Sequence, residues 1–366
     1  EKYIDHSCRN PETAFGSIKD DCMRRDLTIN ALYTNVSTGE IVDITGKGVD
    51  DIKNHIIRTP NDPDIIYDDD PLRILRCIRF ASRYGWDIET ETYEGMVRNV
   101  SRLEIITKER VQDEFSKMLT CKHPVMAMEL LRKTGAMHYV IPELEETYSM
   151  TQNEYHFGTV WEHTMAVLEG TREDDLILRL SALLHDIGKI RVRTEEDGKI
   201  HFLKHELKSG EMIDELLRPL KFSNEIIKEV TFLVRNHMIC KTWGYECENM
   251  KDKKLRRLQY ECKTEERFRN LMTIIDADNK AHAADKCMPK QVELILRRTE
   301  AMKAESSAMF GYKLPLTGKE IMDLKGIKPG PGVKECLDYL LKIAFANPLR
   351  KKEEFVKHLL GYRLQK

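Results

Sequence analysis

DDDPLRILRCIRFASRYG, residues 68–85, has the grammar of an amphipathic helix with both ends marked. Acidic residues and Pro71 stand where a helix begins, and Gly85 stands where one ends. Ile74, Leu75, Ile78 and Ala81 recur at helical spacing, which predicts one buried stripe. Arg73, Arg76 and Arg79 stay near another side. Asp70 and Arg73 are one turn apart, so together they present acceptors and donors to the edge of a nucleic-acid base. The plain alternative is that Asp70 caps the helix and the arginines form exposed ion pairs.

Upstream, RRDLTINAL (24–32) sets Arg24, Arg25 and Asp26 against a short apolar run that contains Asn30. An arginine fork donates two parallel hydrogen bonds, which suits a triphosphate. An aspartate beside it suits ribose hydroxyls. Leu27 to Tyr33 and Glu40 to Ile44 read as strands or edge segments around the turn-forming Ser37, Thr38 and Gly39. Downstream, helical patterns continue to about residue 145. DDLILRLSALLHDIGK (174–189) is apolar on nearly every face and predicts a central buried helix. Asp197-Gly198, between alternating residues, predicts a hairpin. In the helical tail GIKPGPGV (326–333) reads as an interhelical loop, with the amide–phosphate role as the lesser alternative. MKDKKLRRLQY (250–260) and RKKEEFVKH (350–358) are locally basic.

The 366 residues suffice for several cores. A net charge of −2 leaves any polyanion to local basic patches. No apolar run is long enough to span a bilayer, and no signal peptide is visible. Nine scattered cysteines, none in a CxxC pair, suit reduced thiols and a cytoplasmic location.

Residues 20–33 (DDCMRRDLTINALY), 43–52 (DITGKGVDDI) and 68–85 together resemble bacterial CCA-adding enzymes. These are tRNA nucleotidyltransferases of the class that includes bacterial poly(A) polymerases. The resemblance implies nucleotide binding by Arg24, Arg25, Asp26, Asn30, Asp70, Arg73, Arg76 and Arg79, with Asp70 and Arg73 reading the base. Asp69 stands where the family often has glutamate. A second resemblance is to the HD superfamily of metal-dependent phosphohydrolases. It implies metal ligation by His163, His185, Asp186 and Asp278, with His205 and His237 as further ligands and Lys189 near a phosphate. His156 reads as a packing or gating residue. A buried histidine beside a buried aspartate needs a partner, which a divalent cation supplies.

The expected fold is therefore mainly α and multidomain. It comprises a partial α/β nucleotidyltransferase head (1–66), a helical neck with the nucleotide-reading motif (67–148), a helical HD domain (149–300) and a helical tail (301–366) with a possible tRNA contact. The implied partners are tRNA, CTP and ATP, with no membrane and no DNA. The implied cofactors are Mg2+ for nucleotidyl transfer and Mn2+, Ni2+ or Mg2+ at the HD site.

The family's GGxVRD segment and metal-holding DxD pair are not found ahead of RRD. Asp62-Pro63-Asp64 and Asp276-Ala277-Asp278 carry the DxD spelling, but neither follows a glycine-rich turn. The expectation is thus a head without its N-terminal part, not competent alone for nucleotide addition. Two alternatives stay open. One is a metallophosphohydrolase acting on phosphomonoesters or 2′,3′-cyclic phosphates at RNA ends. The other is a non-catalytic tRNA-binding remnant.

Overall fold

A computed structural model describes residues 16–156, 158–172 and 174–364. The chain is mainly helical, with three two-stranded sheets among the described residues. It divides into two compact units, Glu1–Asn236 with Ala281–Ala284, and His237–Lys280 with Asp285–Lys366.

The first unit is organised by the helix Leu72–Tyr84. Pro71 sits at its N-cap, one residue ahead of the expected position. Gly85 ends it in the left-handed region, φ 69°, a conformation that glycine adopts without a Cβ penalty. The helix buries Leu72, Ile74, Leu75, Cys77, Ile78 and Ala81, and packs against Lys108–Leu119, which buries Val111, Phe115, Met118 and Leu119. Each fully buried Leu, Ile or Phe contributes about 1.5–3 kcal/mol of transfer free energy, so the stripe fixes which way the arginines face. Ile56–Ile57 pairs in parallel with Asp87–Ile88 and ties the chain after this helix to the head.

The head departs from the expected strands. Thr28–Asn30 is a 3-10 turn, and only Leu32–Thr34 and Ile41–Asp43 pair, antiparallel, with Leu32 opposite Asp43. The reason is local: Asp26 Oδ1 accepts from the Leu27 amide at 2.9 Å and from Asn30 Nδ2 at 3.1 Å, and that turn outcompetes a strand ladder. Asp62-Pro63-Asp64 lies at a helix start. Asp62 caps Pro63–Asp69, and Asp64 pairs with Arg98 and Asn99.

The apolar stretch predicted as one helix forms Leu176–Leu184, packed against Val160–Glu169 and Asn224–Asn236. It ends at His185 rather than running on. A new short helix, Lys189–Val192, begins after Gly188. Gly188 approaches the helix His205–Leu217 so closely that a Cβ there would lie 2.4 Å from the Ser209 amide nitrogen and 2.6 Å from the His205 carbonyl oxygen. The predicted hairpin is present, Thr194–Glu196 with Lys199–His201. Asp197 and Gly198 both have positive φ, 49° and 72°, as the tight turn requires.

The second unit contains Asp252–Cys262, Glu265–Lys280, Gln291–Ala304, Gly318–Lys325, Pro331–Ala346 and Lys352–Gly361. Its C-terminal core gathers Met309, Leu316, Ile321, Cys336, Leu340, Ala344, Phe355 and Leu359. Buried Arg256 donates to the carbonyls of Ser307 (3.2 Å), Phe345 (3.3 Å) and Ala346 (3.1 Å), satisfying the end of Pro331–Ala346. Within GIKPGPGV residues 326–330 form the loop, with Gly326 left-handed at φ 62°, and Pro331, Gly332 and Val333 open the next helix.

Candidate nucleotide cavity and histidine cluster

Seven of the eight arginine, aspartate and asparagine positions named from sequence line one open cavity of about 590 Å³ in the first unit. They are Arg24, Arg25, Asp26, Asn30, Asp70, Arg73 and Arg76, joined by Asp21, Leu72, Phe80 and Arg110. Five arginines face three aspartates, so the cavity is net cationic and suits a polyphosphate.

Asp21 organises one end of the cavity. Arg24 Nη2 reaches its Oδ1 at 2.9 Å, and Arg25 donates Nε (3.0 Å) and Nη2 (2.8 Å) to its Oδ2. The Tyr33 hydroxyl also donates to Oδ2. These donors, Tyr33 first and then Arg25 and Arg24, hold the Asp21 carboxyl well below the usual carboxylate range. Arg25 spends a further N–H on the Asn30 carbonyl at 2.9 Å.

Asp26 organises the floor. It is buried, and its Oδ2 accepts Arg76 Nε at 2.8 Å. Arg76 also lies 3.9 Å from Glu114. Burial works against the Arg76 charge, but Asp26 and Glu114 outweigh it and raise its pKa. Arg79 is the one named residue outside the cavity. It is buried against Glu114, with Nε 2.5 Å from Oε2, and its guanidinium lies 4.1 Å from the centre of the Phe80 ring. At the opposite end, Asp70, one residue ahead of the Pro71 N-cap, accepts the Leu72 amide on Oδ1 at 3.1 Å. Its Oδ2 is held by Arg110 Nη2 at 2.7 Å. Arg73 Nη1 donates to the Ile66 carbonyl at 3.0 Å.

Sequence reasoning passed over Asp21, Arg110 and Glu114. Asp21 was legible, three residues before Arg24 at the end of the helix Ile18–Met23. Arg110 and Glu114 come from a helix whose sequence carries no local mark of this role.

The histidine cluster of the first unit centres on Asp186. His185 Nε2 is 3.2 Å from Oδ2, His163 Nε2 is 3.6 Å from Oδ2, and His205 Nε2 is 3.1 Å from Oδ1. In each ring the other nitrogen faces a backbone carbonyl: Nδ1 of His185 on Ala182 (2.8 Å), of His205 on Phe202 (2.9 Å), of His163 on Ala281 (3.3 Å). A carbonyl only accepts, so each Nδ1 carries a proton, and each Nε2 is the nitrogen turned toward Asp186. This is how proteins orient metal-binding imidazoles. His163 and His185 also bring their Nε2 atoms within hydrogen-bonding distance of each other, 3.3 Å. Three imidazole nitrogens and a carboxylate fit a divalent cation.

Lys189 supplies one positive charge itself. It is buried, and its Nζ lies 2.6 Å from Asp186 Oδ2 and 2.7 Å from Gln152 Oε1. Burial opposes the Asp186 charge, but His185 and Lys189 hold its pKa well below the usual value. His156 stands beside Lys189 at 3.3 Å and edge-on to His163, with His282 on its other side. Burial, then Lys189 and His163, push its pKa down to about 2. His156, His163 and Asp186 together offer ligand atoms within 4.8 Å of one another. Asp278 and His237 belong to the second unit. Both are buried, and Asp278 Oδ2 pairs there with Lys241 at 3.0 Å.

Comparison with known proteins places the parts of the chain that carry these groups. Family models match for the Poly A polymerase head domain over residues 1–58, the probable RNA and SrmB-binding site of polymerase A over 85–147, and the HD domain over 153–280. The A-adding tRNA nucleotidyltransferase of Deinococcus radiodurans is 30% identical over 338 residues, covering 88% of this chain and 74% of that protein. The CC-adding tRNA nucleotidyltransferase of Thermus thermophilus is 27% identical over 359 residues, covering 95% and 78%. Among solved structures, the Bacillus stearothermophilus CCA-adding enzyme in complex with CTP shares the fold with a TM-score of 0.67 at 21% identity, covering 95% of this chain and 75% of that one. The chain belongs to the tRNA nucleotidyltransferase family.

Proposed function

We propose that this chain binds CTP and ATP in the head cavity and serves nucleotidyl transfer to the 3′ end of tRNA. The observation that carries the reading is the convergence of Arg24, Arg25, Asp26, Asn30, Asp70, Arg73 and Arg76 on one cationic cavity. Arg24 and Arg25 take the phosphates, and Asp70 with Arg73 takes the base edge. Cytosine and adenine share an amino donor beside a ring-nitrogen acceptor. A carboxylate accepts from the first and a guanidinium donates to the second. Guanine and uracil present a carbonyl and an N–H there instead, which leaves like groups facing each other. Mg2+ supplies charge neutralisation at the phosphates in such a reaction. Asp26 holds Arg76 in place beneath the nucleotide. The working division is head to residue 66, neck to 148, HD domain to 300 and tail beyond.

The test is equilibrium binding of the four nucleoside triphosphates. CTP and ATP should bind more tightly than GTP and UTP, and Arg73→Ala should erase that preference by roughly tenfold or more, the worth of one lost charge-assisted hydrogen bond. Equal affinity for all four in the parent chain would sink the base-reading assignment.

The Nε2 atoms gathered at Asp186 favour a second activity, metal-assisted hydrolysis of phosphomonoesters or 2′,3′-cyclic phosphates. His163, His185, His205 and Asp186 hold Mn2+, Ni2+ or Mg2+ in this reading, and Lys189 balances the carboxylate. The cation supplies an activated water. Mn2+ or Ni2+ should raise the melting temperature of the parent chain and leave Asp186→Ala unmoved. An equal rise in both would remove the metal reading.

A further inference from the structure

The helix Leu72–Tyr84 and the turn behind it carry a column of rings of which only the first, Phe80, lines the cavity. Phe80 and Tyr84 stack with centroids 6.1 Å apart and planes at 23°. Tyr84 and Trp86 follow at 4.9 Å and 34°, and Trp86 and His55 at 5.1 Å and 18°. Gly85, left-handed, turns the chain so that Trp86 folds back along the column. His55, also left-handed at φ 59°, closes the far end from the C-cap of the helix Gly48–Asn54.

Three features set this column apart from ordinary core. It lies at the surface: Tyr84 is 43% exposed, and His55 is exposed. It begins at the nucleotide cavity, because Phe80 is part of the lining. And arginines run beside it: Arg76 lies 5.8 Å from the Phe80 ring centre and Arg83 5.6 Å from that of Tyr84, while Arg79, 4.1 Å from Phe80, is buried on Glu114. Aromatic surface interleaved with guanidinium is how proteins hold single-stranded nucleic acid, with bases on rings and phosphates on cations.

We propose that Phe80, Tyr84, Trp86 and His55 form a stacking surface for the unpaired 3′ end of an RNA strand, delivering its terminus to the nucleotide cavity. Continuity with the cavity selects this occupant. A strand that is to meet a nucleotide bound at Arg73 and Arg76 must approach past Phe80, and the ring column extends from there. Duplex RNA does not fit the role, because a strand end paired in a helix is not free to reach the cavity. The inference rests on the nucleotide reading of the cavity.

The experiment titrates a fluorescently labelled single-stranded hexanucleotide of C and A, and a blunt duplex of equal length, into the full chain. The variants are Tyr84→Ala, His55→Ala, their double, and the conservative Trp86→Phe. CTP affinity and thermal melting are measured on each. Base–ring stacking predicts that Tyr84→Ala weakens the single strand about fivefold to a hundredfold. CTP affinity should stay within about twofold, the melting curve should remain cooperative, and Trp86→Phe should bind like the parent. A double variant that binds the single strand as the parent does would overturn the proposal, as would a parent that binds the duplex equally well. Failure of CTP to bind the parent would instead strike the cavity reading, since the oligonucleotide titration reads the rings alone.

Discussion

Asp26→Asn should be among the more damaging isosteric changes in the first unit, and the structure indicates why. Asp26 is 7% exposed and makes two kinds of contact. Oδ1 shapes the turn through the Leu27 amide and Asn30, and an asparagine oxygen preserves that role. Oδ2 accepts Arg76 Nε at 2.8 Å, and there the asparagine amide sets donor against donor. Removing one partner of a buried ion pair costs about 3–5 kcal/mol. Two features reduce that here. The Arg76 side chain is 34% exposed, and Glu114 remains 3.9 Å from it. A loss of about 2–3 kcal/mol is expected, or roughly 4–12 °C in melting temperature for a unit of this size. Urea unfolding of the parent, Asp26→Asn, Arg76→Gln and the double variant gives the coupling. The cycle should return about 1.5 kcal/mol or more, because each single change strands the other member of the pair. Additive effects within about 0.5 kcal/mol would refute the view that this pair staples the turn to the helix.

Gly188→Ala should destabilise by about 2–4 kcal/mol, because the new Cβ would meet backbone of His205–Leu217 and not a movable side chain, whereas Gly198→Ala has open space and loses only its turn preference. Comparing the two melting curves checks it, and the reasoning fails if Gly188→Ala is the milder. Asp21 has a folded pKa below its unfolded value, so its contribution is present above about pH 3.8 and is lost as pH falls through the folded value. The stability gap between the parent and Asp21→Asn should therefore be steady from pH 7 to 5 and shrink on further acidification. A gap that widens in acid would reverse the assignment.

What the sequence disclosed, and what it withheld, follows how far each signal reaches. The helix at 72–84 was legible because its proline, its apolar stripe and its glycine all lie within eighteen residues. The hairpin at Asp197-Gly198 was legible because two residues specify it. The strand expected at Leu27 failed because apolar β-formers were weighed and the Asp26 side chain was not, though it outcompetes a strand through two short hydrogen bonds. The buried helix was drawn past His185 because its hydrophobicity runs on. The break serves Gly188, whose reason lies 21 residues away at Ser209. Arg79 illustrates the limit of periodicity. Three residues past Arg76, it keeps the side of the helix but not the cavity, because Glu114 from another helix captures it. No local pattern announces such a partner.

The helix Leu72–Tyr84 acts as an indexing shaft. Around its circumference it carries the apolar stripe, the guanidiniums of the cavity and the start of the ring column, each at its own angle. One inserted residue turns everything beyond it by about 100°. A single insertion after Asp70 would thus send arginines toward the core and apolar groups toward the nucleotide at one stroke, a change no point substitution can imitate. Length variation belongs instead at turns such as Ser37–Gly39, where no downstream angle depends on the count. The spacing between Asp70 and Gly85 is in this sense a dimension of the machine, set by rotation as much as by chemistry.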